Sequence, residues 1–135
     1  MVSIKFIVNL QCNFRLSMRK RILIAEDTDS NYLLLSIILR KEYEVYRALN
    51  GVEAVEFCRE NCPDLVLMDF KMPVMDGLEA TRTIREFNKE LPIIALTANA
   101  YDSDREHAFD AGCNDYMSKP IDATALRILL QKFLG

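Results

Sequence analysis

Three short apolar runs limit this chain more than any other feature: RILIA at 21–25, DLVLMD at 64–69 and PIIALT at 92–97. Runs this short are expected of strands buried on both faces rather than of helices. The segments between them show helical spacing. One helix is expected over 30–41, with Leu33, Leu34, Ile37 and Ile38 on one stripe and Asp29 or Ser30 as its cap. A second, capped by Asn50, covers 51–61 with Val52, Val55 and Phe57 as candidate inward residues. A third opens at Asp76-Gly77 and runs to about 88, a weaker polar one spans 101–110, and a last one, capped by Asp122, spans 123–134. Two more strands complete the series: an alternating one at 43–49 (YEVYRAL), nearer an edge, and a short one at 115–118 before Pro120. Five β/α units in succession predict an α/β fold, doubly wound, with a parallel sheet and helices on both faces.

The size agrees with this. A chain of 135 residues, half of them hydrophobic, builds one core and has no room for a second module. Charge is uneven: residues 1–21 hold Lys5, Arg15, Arg19, Lys20 and Arg21 and no acid, whereas the remainder is strongly acidic. An acidic globule is a poor nucleic-acid binder, since phosphate contact needs clustered Lys and Arg, but a good host for divalent cations. No apolar stretch near the start approaches the roughly 20 residues of a membrane span or resembles a secretory signal, so no membrane association and a cytoplasmic location are expected. Four cysteines and one histidine give neither a disulfide scaffold nor a zinc site; Cys58 and Cys62 read as reduced thiols and His107 as a solvated surface residue.

In an open parallel sheet the ligand site lies at the carboxyl ends of the strands, where strand order reverses. Glu26 and Asp27 follow the first strand, Asp69 ends the third, Thr97 the fourth, and Lys119 follows the fifth. Three carboxylates, a hydroxyl and an ammonium thus share one rim. Crowded carboxylates raise one another's pKa, and a hard divalent cation such as Mg²⁺ removes the conflict with few protein ligands. Cation plus ammonium beside a carboxylate make a place for a tetrahedral dianion, which points to phosphoryl transfer onto a carboxylate.

The segments ILIAED, LVLMDFKMPVMDG, ALTANA and NDYMSKP, in this order and at these separations, closely resemble the receiver domain of two-component response regulators. The resemblance covers about residues 20–134. It implies a flavodoxin-like sheet of five parallel strands in the order 2-1-3-4-5. It makes Asp69 the phosphoacceptor nucleophile, Asp27 and Asp69 direct Mg²⁺ ligands, and the backbone carbonyl of Lys71 the third. Glu26 matches an acidic position that contacts the metal through water; many members have Asp there, one methylene shorter. Thr97 matches the switch hydroxyl, Lys119 the partner of Asp69 and then of the phosphoryl group, and Tyr116 the aromatic that swings inward on activation. Lys71 and Asn99 stand where the family tunes hydrolysis, and a cation at Lys71 is expected to slow or redirect it. Lys119-Pro120 is expected to be cis, and Pro73 and Gly77 to shape the loop after Asp69.

The implied activity is Mg²⁺-dependent transfer from a sensor histidine kinase or phosphotransfer protein to Asp69. It is followed by a change in the surface of the fourth helix, fifth strand and fifth helix that signals to a downstream protein target. The same face would serve a homodimer. Such a domain catalyses only its own phosphorylation and dephosphorylation and is not otherwise an enzyme. The alternative is a pseudo-receiver, an interaction module that never takes phosphate; the complete acidic, Thr and Lys set argues against it. A phosphatase of the aspartyl-nucleophile type would want Asp at position 71, where Lys71 stands, and a flavin binder would want a Ser/Thr/Gly-rich loop after the first strand. The organisation expected is an N-terminal extension or linker over 1–19 and the receiver domain over 20–135, with no output module after it.

Overall fold

The computed structural model describes residues 19–98 and 102–135. Its elements run β1 (Arg21–Ala25), α1 (Asp29–Leu39), β2 (Glu44–Ala48), α2 (Gly51–Asn61), β3 (Leu65–Asp69), α3 (Gly77–Arg85), β4 (Ile93–Thr97), α4 (Asp102–Ala111), β5 (Asp115–Ser118) and α5 (Ala123–Leu134). The strands form one parallel sheet in the order β2-β1-β3-β4-β5. The doubly wound, flavodoxin-like architecture expected from the sequence is therefore the one observed, with β2 at an edge.

Successive strand residues point to opposite faces, and this divides the core in two. Leu23, Ala25, Val66, Met68, Ile93 and Ala95 pack with Ala54, Val55 and Cys58 of α2, Ala80 and Ile84 of α3 and Ala108 of α4. Ile22, Ile24, Leu65, Leu67, Ile94 and Leu96 pack with Leu35 and Leu39 of α1 and Leu126 and Leu130 of α5. Strands β3 and β4 are buried at every position, which accounts for their unbroken apolar runs.

Two caps hold as read, Asn50 accepting from the Glu53 amide at 2.9 Å and Asp122 from Thr124 at 3.0 Å, and Asp76, read as the opening of the third helix, caps it by accepting from Glu79 at 2.8 Å. Other expectations need correction. Helix α1 starts after Thr28, whose side chain makes no capping bond. It buries Leu35 and Leu39, whereas Leu33, Leu34 and Ile37 are about half exposed. An all-round apolar helix leaves the choice of inward stripe to the sheet it lands on. Helix α3 stops at Arg85, and the chain tightens into three-residue turns at Glu86 and Phe87. Cys58 and Cys113 are buried thiols, but Cys62 is disulfide-bonded, contrary to its reading as a thiol. Among the described residues no helix is long and apolar enough to cross a membrane.

The loop after β3 is closed by backbone alone. The Gly77 amide donates to the Phe70 carbonyl at 3.1 Å, and Met75 donates to Pro73 at 2.7 Å across Val74, which sits at φ 70°. That left-handed turn is borne by an exposed β-branched residue rather than by a glycine. Gly77 serves another purpose: a Cβ there would lie 2.0 Å from the Asp69 carbonyl oxygen. Backbone cannot move aside as a side chain can, so Gly77→Ala is expected to destabilise the domain by about 3 kcal/mol. A lowered midpoint in urea unfolding with an unchanged slope would show it.

Candidate functional site

Strands β1, β3, β4 and β5 end on one rim, and the sheet brings together the residues the sequence separates by up to 93 positions. One carboxylate oxygen each of Glu26, Asp27 and Asp69 lies within 4.8 Å of the others. Glu26 is fully buried and Asp69 nearly so, while Asp27 is exposed. The Lys119 ammonium reaches both buried acids, at 3.0 Å from Glu26 Oε2 and 3.3 Å from Asp69 Oδ1. The other Glu26 oxygen accepts from Asn31 Nδ2 at 3.2 Å and from the Thr28 amide at 3.3 Å. The extra methylene of Glu26 thus carries its carboxylate into contact with the lysine.

Charge is distributed unequally over this group. Burial would raise the Glu26 pKa, but hydrogen bonds from Lys119 and Asn31 together with the lysine charge hold it below its ordinary value. Asp69 is pushed up to about 6, first by burial and then by the Glu26 charge, which together outweigh Lys119. Burial would lower the Lys119 pKa, but its bond to Glu26 and the Asp69 charge keep it raised. One ammonium therefore cannot neutralise three carboxylates, and the remaining conflict is what a divalent cation would relieve. The oxygen-only donor set, with one exposed member, fits Mg²⁺, which keeps several of its waters.

Thr97 ends β4, buried, and its hydroxyl donates to Asp104 Oδ2 on α4 at 3.1 Å. Its carbonyl accepts from the Lys119 amide at 2.7 Å, and Lys119-Pro120 is cis. Tyr116 on β5 is half-buried, edge-on to Phe109 with ring centroids 6.4 Å apart, and the Arg105 guanidinium lies over both rings. Lys71 is exposed in the loop after β3. Asn99 lies outside the described residues. His107 is exposed on α4, apart from the rim. Sequence reasoning missed Asn31 and Asp104, which touch Glu26 and Thr97; the only available signal was a polar residue near the start of each helix following a rim strand.

A carboxyl whose native pKa exceeds its unfolded value stabilises the fold only while protonated, so that contribution is lost as pH rises from about 4 through about 6. Without divalent cation, Asp69→Asn is therefore expected to stabilise the fold at pH 7.5 by about 3 kcal/mol, at roughly 1.4 kcal/mol per pKa unit, and so to raise the melting temperature. The gain should vanish near pH 4, and thermal unfolding at the two pH values checks it.

Comparison with known proteins follows this geometry. A family model for the response regulator receiver domain matches residues 22–131. The polar-differentiation response regulator DivK of Brucella anthropi is 37% identical over 121 residues, 87% of this chain and 98% of that protein. The receiver domain of sensor histidine kinase PA1611 from Pseudomonas aeruginosa PAO1 was solved with a magnesium ion coordinated in its active site cleft. It is 41% identical, with a TM-score of 0.81 over 87% of this chain and 98% of that one. A co-crystal of the Saccharomyces cerevisiae histidine phosphotransfer signaling protein Ypd1 with the receiver domain of its downstream response regulator Ssk1 matches at 34% identity, with a TM-score of 0.81 over 85% of this chain and 88% of that one. With strand order, relatives and family model in agreement, this chain belongs to the response regulator receiver domain family.

Proposed function

We propose that Asp69 accepts a phosphoryl group from the phosphohistidine of a histidine kinase or phosphotransfer protein, and that the domain then signals through the α4-β5-α5 surface. The observation that carries this reading is the convergence of the Glu26, Asp27 and Asp69 carboxylates with Lys119 3.3 Å from Asp69. Asp27 and Asp69, with the Lys71 carbonyl, would hold Mg²⁺ directly, and Glu26 through water. The ion would supply charge to the transferring oxygens. Residues 20–135 form the receiver domain in this reading and 1–19 an extension or linker.

In the transfer, an Asp69 oxygen forms a bond to phosphorus as the P–N bond to the donor imidazole breaks, and the imidazole nitrogen keeps that electron pair and takes up a proton. Lys119 already sits against the Asp69 carboxylate and stays to pair with the dianion. The Thr97 hydroxyl, engaged by Asp104 in this structure, must leave that acceptor to reach a phosphoryl oxygen. Because Asp104 belongs to α4, exchanging it for the phosphoryl group alters the hold of β4 on α4. Tyr116, packed against Phe109 of the same helix, follows into the space Thr97 vacates. The family supports a histidine kinase or phosphotransfer protein on the donor side, and the same reading takes a protein target on the other and a cytoplasmic location.

Incubation with radiolabelled acetyl phosphate and Mg²⁺ tests the reading. The parent is expected to take up label, with at least a hundredfold loss (about 3 kcal/mol in barrier,) in Asp69→Ala and on chelation with EDTA. A parent that is never labelled, and whose spectrum beryllofluoride leaves unchanged, would be an interaction module instead.

A further inference from the structure

Arg47 lies on β2, the strand that sends no side chain to the acidic cluster, yet it grips the loop carrying two of the three acids. Its Nε donates to the Glu26 carbonyl at 3.1 Å, and its NH1 pairs with Asp29 Oδ1 at 2.8 Å. The guanidinium lies over the Tyr32 ring, 4.6 Å from its centroid. The Glu26 amide is tied to the next β2 residue by a 3.0 Å bond to the Ala48 carbonyl. Asp27 therefore stands between two anchored points, residue 26 before it and residue 29 after it.

This grip answers a problem the cluster poses. Glu26 is held by Lys119, Asn31 and the Thr28 amide, and Asp69 is built into a strand. Asp27 is exposed, and like-charge repulsion is most easily relieved by its turning out into water. We infer that Arg47 is a positioning residue for the cation site: by bridging Glu26 and Asp29 it holds the intervening backbone so that the Asp27 carboxylate stays beside Asp69. The planar fork of a guanidinium suits this two-point hold better than an ammonium would. Its remaining NH2 is buried and has no hydrogen-bond partner among the described residues. The inference rests on the reading of Glu26, Asp27 and Asp69 as a Mg²⁺ site.

The sign of one measurement separates positioning from simple electrostatics. Removing a positive charge near a cation site should tighten cation binding by Coulomb's law; loss of positioning should weaken it. Calorimetric titration of the full chain with MgCl₂ compares the parent with Arg47→Met, which keeps an unbranched apolar stem over Tyr32 but has neither donors nor charge. The expected result is a Mg²⁺ dissociation constant roughly tenfold higher in Arg47→Met, the scale seen when a group orienting a metal ligand is lost. An unchanged or lower constant overturns the inference, including when the Mg²⁺-free melting temperature falls, since that is a purely structural role. A parent that binds no Mg²⁺ overturns the metal-site reading and this inference with it. Should Arg47→Met not fold, Arg47→Gln takes its place with the same deciding outcomes.

Discussion

The Lys119 ammonium, shared between Glu26 and Asp69, is the interaction on which the rim depends. Two buried carboxylates side by side would otherwise drive each other toward protonation, and a sheet edge that concentrates acids would come apart electrostatically. The lysine settles this asymmetrically. Glu26, the better hydrogen-bonded acid, keeps its charge, and Asp69 carries the strain as a raised pKa. The group left least satisfied is thus the one proposed to react, a common arrangement where a nucleophile must exchange one set of partners for another.

The fold makes this arrangement possible through features that have no chemistry of their own. Parallel strands with fully buried faces must end together, and their C-terminal residues are the first that can be polar. The hydrogen bond from the Lys119 amide to the Thr97 carbonyl sets the fifth strand's exit beside the fourth's. Gly77 lets α3 begin directly against the Asp69 carbonyl, so that the loop between them closes on backbone and leaves Asp69 at its mouth. On the far side, α4 is joined to the rim through Asp104 and Thr97, the link through which the proposed change of charge at Asp69 would reach the surface.

Much of this was legible in the chain. The unbroken apolar runs at 64–69 and 92–97 identify doubly buried strands because no other short element tolerates them, and all three side-chain caps at Asn50, Asp76 and Asp122 are where their residue type places them. The rim residues Glu26, Asp27, Asp69, Thr97 and Lys119 follow from a rule of position, the carboxyl ends of β1, β3, β4 and β5. What could not be read was which apolar residues of α1 face inward, because Leu33, Leu34, Ile37 and Ile38 sit among equally apolar neighbours and periodicity alone has no preferred stripe. Nor could α3's early stop be read, since the residues beyond Arg85 are ordinary helix formers and the tight turns are imposed by packing.

By itself, then, the sequence determined the order of elements, the layer architecture and which polar residues stand on the rim, because these follow from periodicity, capping and strand termini, all local properties of the chain. Only the tertiary structure decided the partnerships: Glu26 with Lys119 and Asn31, Thr97 with Asp104, Arg47 with the Glu26 carbonyl and Asp29. Each is a contact of 2.8–3.2 Å between groups on different elements. Those are fixed when the two cores pack against the sheet, and no pattern in the sequence encodes them singly.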